Sequence, residues 1–316
     1  MPTEPLEHRP YPKIHPRFDG PSASGPWCAT EKLHGANLVV GVSADQVRIG
    51  KRKAWLDDDE PFFGWQLLRA TLEAQARALH DAVGRPRILR LYGELYGGAY
   101  PHPAVAAVPG ASLVQTGISY APDVRFAAFD ALIEDGDDEV FLSFTELSSV
   151  AAAVGVELVP LIARGTRSEL ERLPVRFTTR VPASLGLPPL EDPTGNLAEG
   201  LVLRVDARLP PSRRTTVKRK IPEFDEARFE EALPWDPDAA LSADDLRVVA
   251  LRLVNGPRIA SARSKVGTDP ERVRDEVVLD VLIDVEAAFP RAVGLLSEDE
   301  EARLREALEL AAAALA

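Results

Sequence analysis

Residues 27–42 read Trp27-Cys28-Ala29-Thr30-Glu31-Lys32-Leu33, then His34-Gly35-Ala36-Asn37, then Leu38-Val39-Val40-Gly41-Val42. Two apolar runs with a Gly and an Asn between them describe two strands joined by a tight turn, because Gly and Asn tolerate the backbone angles that reverse a chain. Further strands follow in ILRLYGELYG at 88–97 and VRFAAFDALIE at 124–134, with Asp135-Gly136-Asp137 as a turn. GLVLRV at 200–205, a basic turn, and a short strand leading into Thr215-Thr216-Val217-Lys218-Arg219-Lys220 complete the β-rich part.

Helices stand among these strands. Apolar residues recur at helical spacing over 61–83, and Gly84 with Pro86 ends that helix. A second helix over 143–154 starts at Ser143, with Glu146 three residues on as in a capping box. The first 27 residues, rich in Pro, Gly and polar side chains, form an extended lead-in, and 181–196 (VPASLGLPPLEDPTGN) is a surface loop. Near Leu233-Pro234-Trp235-Asp236-Pro237 strand signals stop, and from about 242 to 316 Ala, Leu, Arg and Glu recur at helical spacing, the terminal EARLREALELAAAALA as an amphipathic helix. Segregated strands and helices indicate an α+β protein with two domains, residues 1–234 and 235–316.

The chain has 316 residues, 45% hydrophobic and 27% charged, the balance of a globular protein with a substantial core. No apolar run has the length of a membrane span, so no membrane partner is expected. MPTEPLEHRP has neither the apolar core of a secretion signal nor the pattern of a transit peptide. The single cysteine, Cys28, forms no internal disulfide and anchors no zinc cluster, which fits a reducing, cytoplasmic setting. A net charge of −12 argues against indiscriminate coating of nucleic acid. The basic residues nevertheless gather in islands: Arg48, Lys51, Arg52 and Lys53; Arg213, Arg214, Lys218, Arg219 and Lys220; and Arg247, Arg252, Arg258, Arg263 and Lys265 in a window without an acid. Such islands in an acidic chain call for a common anionic partner.

Several chemistries are excluded by their missing motifs: there is no GxxxxGK[ST] loop, no GxGxxG opening a helix, no zinc-ligand spacing and no GxSxG elbow. His102, between two prolines, is a loop residue. What remains is an ordered set of short segments: Glu31-Lys32-Leu33-His34-Gly35-Ala36-Asn37, Arg48 to Arg52, Tyr92-Gly93-Glu94-Leu95, Phe126 to Asp130, Glu199-Gly200-Leu201-Val202-Leu203-Arg204, and Lys218-Arg219-Lys220. Singly these are weak. In this order they resemble the motifs of covalent nucleotidyltransferases, the superfamily of DNA ligases, RNA ligases and mRNA capping enzymes, over residues 27–225. DNA ligases and capping enzymes carry Asp where His34 stands. The Lys-x-His-Gly-x-Asn form preceded by Glu is similar to the RNA ligase 2-like family, as is a short helical C-terminal domain without an oligonucleotide-binding barrel.

The resemblance implies antiparallel sheets with flanking helices, a small all-helical C-terminal domain, and an ATP-dependent RNA ligase that seals 3′-hydroxyl and 5′-phosphate ends through a lysyl–AMP intermediate. Lys32 is the implied nucleophile. A free lysine has a pKa near ~10.4, so roughly one in a thousand is neutral near neutral pH. Arg52, Lys218 and Lys220, with desolvation, would favour the neutral amine while binding phosphate. By the same resemblance Glu31 contacts adenine through its backbone, Asn37 belongs to the nucleotide site, Glu94 binds the ribose hydroxyls and Phe129 stacks on the base, with Phe126 the lesser candidate. Arg52 and Lys51 bind phosphate, and Lys218 and Lys220 hold the triphosphate. Glu199, with Glu94, holds Mg²⁺ or Mn²⁺, a hard cation suited to carboxylate and phosphate oxygens. His34 is expected at the substrate, and Arg204 stands where relatives often carry Lys. Asp130 completes its strand motif without a catalytic role. Arg258 and Arg263 of the helical domain are expected to dock RNA. The expected partners are RNA ends, as in nicked duplex RNA, for a monomer with no protein partner. The alternatives are an ATP-dependent DNA ligase, a capping guanylyltransferase, and a non-catalytic protein that binds nucleotides or RNA ends.

Overall fold

In the computed structural model, which describes residues 6–16, 25–192, 195–224 and 241–315, the turn at His34–Ala36 is a corner between two sheets rather than a hairpin. β1 (Trp27–Lys32) and β2 (Ala36–Val42) do not pair with each other. Both are buried along nearly their whole length, and a two-stranded hairpin cannot cover both faces and both edges of its strands. Each is instead an inner strand of its own sheet. Gly35 is required at the corner, because a Cβ there would stand 2.1 Å from the carbonyl oxygen of Leu95.

β3 (Val47–Lys51), β4 (Ala54–Trp55), β5 (Ile88–Gly97), β6 (Val124–Asp135) and β7 (Asp138–Phe141) join β2 in a six-stranded sheet, order β4-β3-β2-β5-β6-β7. β8 (Leu161–Gly165), β9 (Gly200–Val205) and β10 (Thr216–Lys220) join β1 in a four-stranded sheet, order β10-β9-β1-β8. Neighbouring strands are antiparallel throughout. Of the expected lead-in, the described residues 6–16 form a strap: Trp55 Nε1 donates to Leu6 O at 3.1 Å, Arg90 to Glu7 O at 2.6 Å, and Lys218 N to His15 O at 3.2 Å, so the strap bonds to strands of both sheets.

The helix expected over 61–83 is shorter. α1 (Arg69–Ala82) follows a 3₁₀ turn at Trp65–Leu68, because Phe63 and Gly64 take left-handed φ of 55° and 67° and interrupt the helix before it. α2 (Phe144–Val154) has its full capping box at Ser143 and Glu146. α3 (Arg167–Leu170) is a single turn, and α4 (Val181–Ser184) lies inside the segment expected to be loop, pinned by buried Val181.

The described residues of Met1–Trp55, Ala76–Ala106 and Leu113–Ala232 form one unit, and those of Leu56–Gln75, Ala107–Ser112 and Leu233–Ala316 form the other. The expected division at 234/235 lies outside the described residues. The second unit contains α5 (Ala243–Leu253), α6 (Gly256–Val266), α7 (Pro270–Ala288), α8 (Pro290–Val293) and α9 (Glu298–Ala313). Leu304, Leu308 and Ala312 of α9 share one face and are buried, as amphipathic periodicity requires. Leu67 packs on the same core, which explains why the segment before α1 belongs here.

The expectation that Arg258 docks RNA is overturned by its burial. The side chain has no exposure, its Nε donates to Leu253 O at 3.1 Å, and Nη2 lies 2.6 Å from Asp284 Oδ2. Acids outside the window also meet its other cations: Asp244 lies 3.2 Å from Arg247, and Asp280 and Glu276 lie 2.8 and 3.1 Å from Lys265. Arg263 is exposed near the end of α6.

Breaking a buried ion pair strands a charge, so Arg258→Ala should cost about 3–5 kcal/mol in urea denaturation of the full chain, while Arg258→Met with Asp284→Leu recovers most of it. A cost below about 1 kcal/mol would contradict this burial.

Candidate active site

Strand register assembles the charged residues. Lys32 of β1 and Lys220 of β10 both stand opposite Gly200, one on either side of β9. Thr30, Val202 and Lys218 form the next row, and Cys28, Arg204 and Thr216 the one after. Steps of two keep all three rows on one face of the sheet. Glu199 leads into the first row, and Lys32 Nζ and Lys220 Nζ each lie 2.6 Å from one of its oxygens. His34 Nδ1 stands 3.8 Å from the oxygen shared with Lys32. Gly200 is obligatory, because its φ of 152° and a Cβ only 1.9 Å from Arg219 O leave no place for a side chain.

The six-stranded sheet supplies a second wall. Asn37 pairs with Glu94 across β2 and β5, and Asn37 Nδ2 donates to Gly93 O at 3.4 Å. Between β5 and β6, Tyr92 pairs with Asp130 but Gly93 with Ala128, so Phe129 is the extra residue of a β-bulge. Bulges redirect a side chain, and the Phe129 ring lies edge-on to Tyr11 of the strap at 4.8 Å. Phe126 is buried, its ring where a side chain on Gly93 would be. The walls enclose a cavity of about 430 Å³, a volume suited to a nucleotide-sized ligand.

Three acids in this region titrate differently. Burial works against ionisation of Glu199, but Lys32 and Lys220 outweigh it, and its carboxyl sits below the ordinary value. Burial raises Glu94 to about 7, against the opposing pull of Lys32, Asn37 and Arg52. Burial likewise raises Glu31 to about 7, although Thr179 and the Arg180 amide favour its charged form. For His34, burial and the two lysines outweigh Glu199 and lower its pKa.

Of the residues expected at the site, Glu31, Lys32, Asn37, Arg52, Glu94, Phe129 and Lys218 line the cavity. Glu199, Lys220 and His34 join it through the contacts around Lys32. Lys51 is not among the lining residues, although its carbonyl receives a 2.9 Å bond from the His8 ring. Arg258 and Arg263 belong to the other unit. The sequence reading missed Thr30, Tyr11, Lys13 and Ile14, all of which line the cavity. Thr30 was within reach of the period-two rule applied back from Lys32, whereas nothing in a Pro-rich lead-in signals a cavity wall. Asp130, read as completing a strand, anchors buried charge: Tyr11 OH donates to it at 2.7 Å, Arg204 lies 3.3 Å away and Arg214 also pairs with it.

Comparison with known proteins agrees with the strand-borne motifs. The family model described as RNA ligase matches residues 25–220, and the chain belongs to this family. It is 31% identical over 235 residues to mitochondrial RNA-editing ligase 2 of Trypanosoma brucei brucei, covering 65% of this chain and 56% of that protein. With mitochondrial RNA-editing ligase 1 it shares 34% over 214 residues, covering 58% and 45%. The chain thus spans about half the length of the curated relatives it matches. Among solved structures, Naegleria gruberi RNA ligase with PPi aligns with a TM-score of 0.41 and 15% identity over 62% of this chain and 49% of that one.

The raised acids make a prediction about stability. A carboxyl raised by burial from 4.5 to about 7 costs the folded state nothing below pH 4.5, and stability is then lost progressively as pH rises from 4.5 through about 7, where the folded protein must ionise the buried group. Glu94→Gln removes the penalty, so its Tm relative to the unmodified protein should be higher at pH 8 than at pH 6. An identical difference at the two pH values would contradict burial as the cause.

Proposed function

We propose that the protein is an ATP-dependent RNA ligase that joins 3′-hydroxyl and 5′-phosphate ends through an AMP bound covalently to Lys32. The observation that carries this reading is the Lys32–Glu199–Lys220 cluster at the cavity, a lysine and a carboxylate in a 2.6 Å contact with a second lysine on the far oxygen. Lys32 Nζ forms a P–N bond to the α-phosphorus of ATP, and pyrophosphate leaves with the bridging oxygen. An oxygen of the RNA 5′-phosphate then attacks the AMP phosphorus and the P–N bond breaks, returning the amine. In the last step the 3′-hydroxyl attacks the 5′-phosphorus and AMP departs. As Lys32 gives up its proton to become a nucleophile, Lys220 remains as the counter-ion of Glu199, so the buried carboxylate is not stranded.

Arg52 and Lys218 line the cavity and would neutralise phosphate charge as it shifts toward the leaving pyrophosphate. In this reading Glu94 would accept ribose hydroxyls, Phe129 would cover the base and Asn37 would orient the nucleotide beside Glu94; all three line the cavity, and Asn37 pairs with Glu94 across β2 and β5. Among the described residues no group of three or more acidic, His or Cys side chains makes a metal cage. Two carboxylates without a cage fit a hydrated hard cation, and Mg²⁺ or Mn²⁺ held by Glu199 and Glu94 would neutralise charge on the triphosphate. RNA ends in a nicked duplex are the substrate of this reading, for a monomeric enzyme, with Lys51 and Arg263 as further phosphate contacts.

Separating the steps tests the proposal. Lys32→Ala should lose joining with ATP but still join RNA that carries a 5′-adenylate, since the last step needs no nucleophilic lysine. Glu199→Ala and Lys220→Ala should slow AMP transfer from ATP by about a hundredfold or more without lowering Tm into the assay range. ATP-driven joining by Lys32→Ala contradicts the proposal. Equal sealing of nicks with ribose and with deoxyribose 3′-strands points to a DNA ligase, and labelling by GTP in place of ATP points to a capping enzyme.

A further inference from the structure

β1 carries Lys32 on its last residue, where the strand loses a neighbour. On one side β9 follows it to the end, with Glu31 opposite Leu201 and Lys32 opposite Gly200. On the other, the ladder with β8 shifts register between Ala29 and Thr30 and ends at Leu161, after which Glu31 N donates to Pro160 O at 2.8 Å. The Glu31 side chain takes over from there. Alternation directs it away from the Thr30–Lys32 face, and its two oxygens accept from the Thr179 hydroxyl at 2.5 Å and the Arg180 N–H at 2.9 Å. The receiving segment is itself fixed. Thr179 N donates to Asn196 O at 3.0 Å, and the Asn196 amide exchanges two 2.8 Å bonds with the backbone of Ser119.

We infer that Glu31, by this pair of side-chain bonds, is a positioning residue that fixes the end of β1 so that Lys32 meets the α-phosphorus of ATP. The inference rests on Lys32 being the nucleophile. Glu31 is 1% exposed and Thr179 5%, so the bonds exchange little with water, and leaving either partner unsatisfied is costly. Lys32 has a strand neighbour on one side only, so on the β8 side the Glu31 brace is what holds the strand end beyond the Glu31 N–Pro160 O bond. A displacement of about 1 Å there is enough to slow a reaction by about a hundredfold with little change in ground-state binding. A charge is not essential to the brace: burial already raises the Glu31 carboxyl to about 7, and an amide at this position can accept from Arg180 N–H while donating to the Thr179 oxygen.

The test is single-turnover transfer of labelled AMP from ATP, recording the rate at saturation, the half-saturating ATP concentration and the end-point labelled fraction, which counts folded sites. Glu31→Leu should lower the saturating rate by about 10- to 100-fold while half-saturation moves less than about threefold. Glu31→Gln, which keeps an acceptor for the Arg180 N–H and a partner for Thr179, should recover most of the rate that Glu31→Leu loses, and Thr179→Val should fall between the two. A full rate with a reduced end point in Glu31→Leu overturns the inference, because the brace then serves only folding. So does a loss expressed wholly as weaker ATP binding. Should Glu31→Leu not fold, Thr179→Val carries the same reading, and Thr179→Ser must restore its rate. An unmodified protein that accepts no AMP refutes the ligase reading itself, whatever the variants do.

Discussion

One buried carboxylate organises the site. The Glu199 side chain is 2% exposed, and an isolated charge at that depth would cost several kcal/mol, so it is tenable only with partners on both oxygens. Lys32 and Lys220 supply them from the strands on either side of the one that Glu199 precedes. The requirement runs in both directions: antiparallel register delivers the lysines, and the carboxylate fixes what would otherwise be two mobile ammonium groups. Gly200, with no room for a side chain, lets the three strands meet closely enough for a single carboxylate to be shared.

The sheet on which this cluster stands was legible to the extent that local pattern determines structure. β5 and β9 occupy the spans their apolar runs indicated, and Ser143 caps α2 as its spacing with Glu146 required. Which strands are neighbours was not legible. The run around Lys32 reads as a hairpin because adjacent strands usually pair, yet burial of both strands forces them into different sheets. The Phe129 bulge is likewise invisible in VRFAAFDALIE, since it exists only relative to the pairing strand. Even so, the alternation of Lys218 and Lys220 already contained the geometry: residues two apart share a face, and each takes its own row.

The helical unit shows the limit of reading charge along a chain. A window without an acid suggested free cations, but the acids that meet Arg258 and Lys265 lie on α7, outside it. Sequence distance says nothing about the neighbour that packing supplies. The same holds for the strap, whose Tyr11 reaches a buried aspartate more than a hundred positions away. The family match spans residues 25–220, which supply most of the cavity's lining, while Tyr11, Pro12, Lys13 and Ile14 of the strap complete it from outside that span. The bonds around Glu31 tie the strand that carries Lys32 to a segment that carries none of the motifs.

The central claim is that Lys32 bears the AMP. Intact-protein mass spectrometry after incubation with ATP and Mg²⁺, followed by peptide mapping, tests it directly. A single AMP added to the unmodified protein, located on Lys32 and absent in Lys32→Ala, is the result this account predicts. An adduct on any other residue, or one that persists in Lys32→Ala, would contradict it.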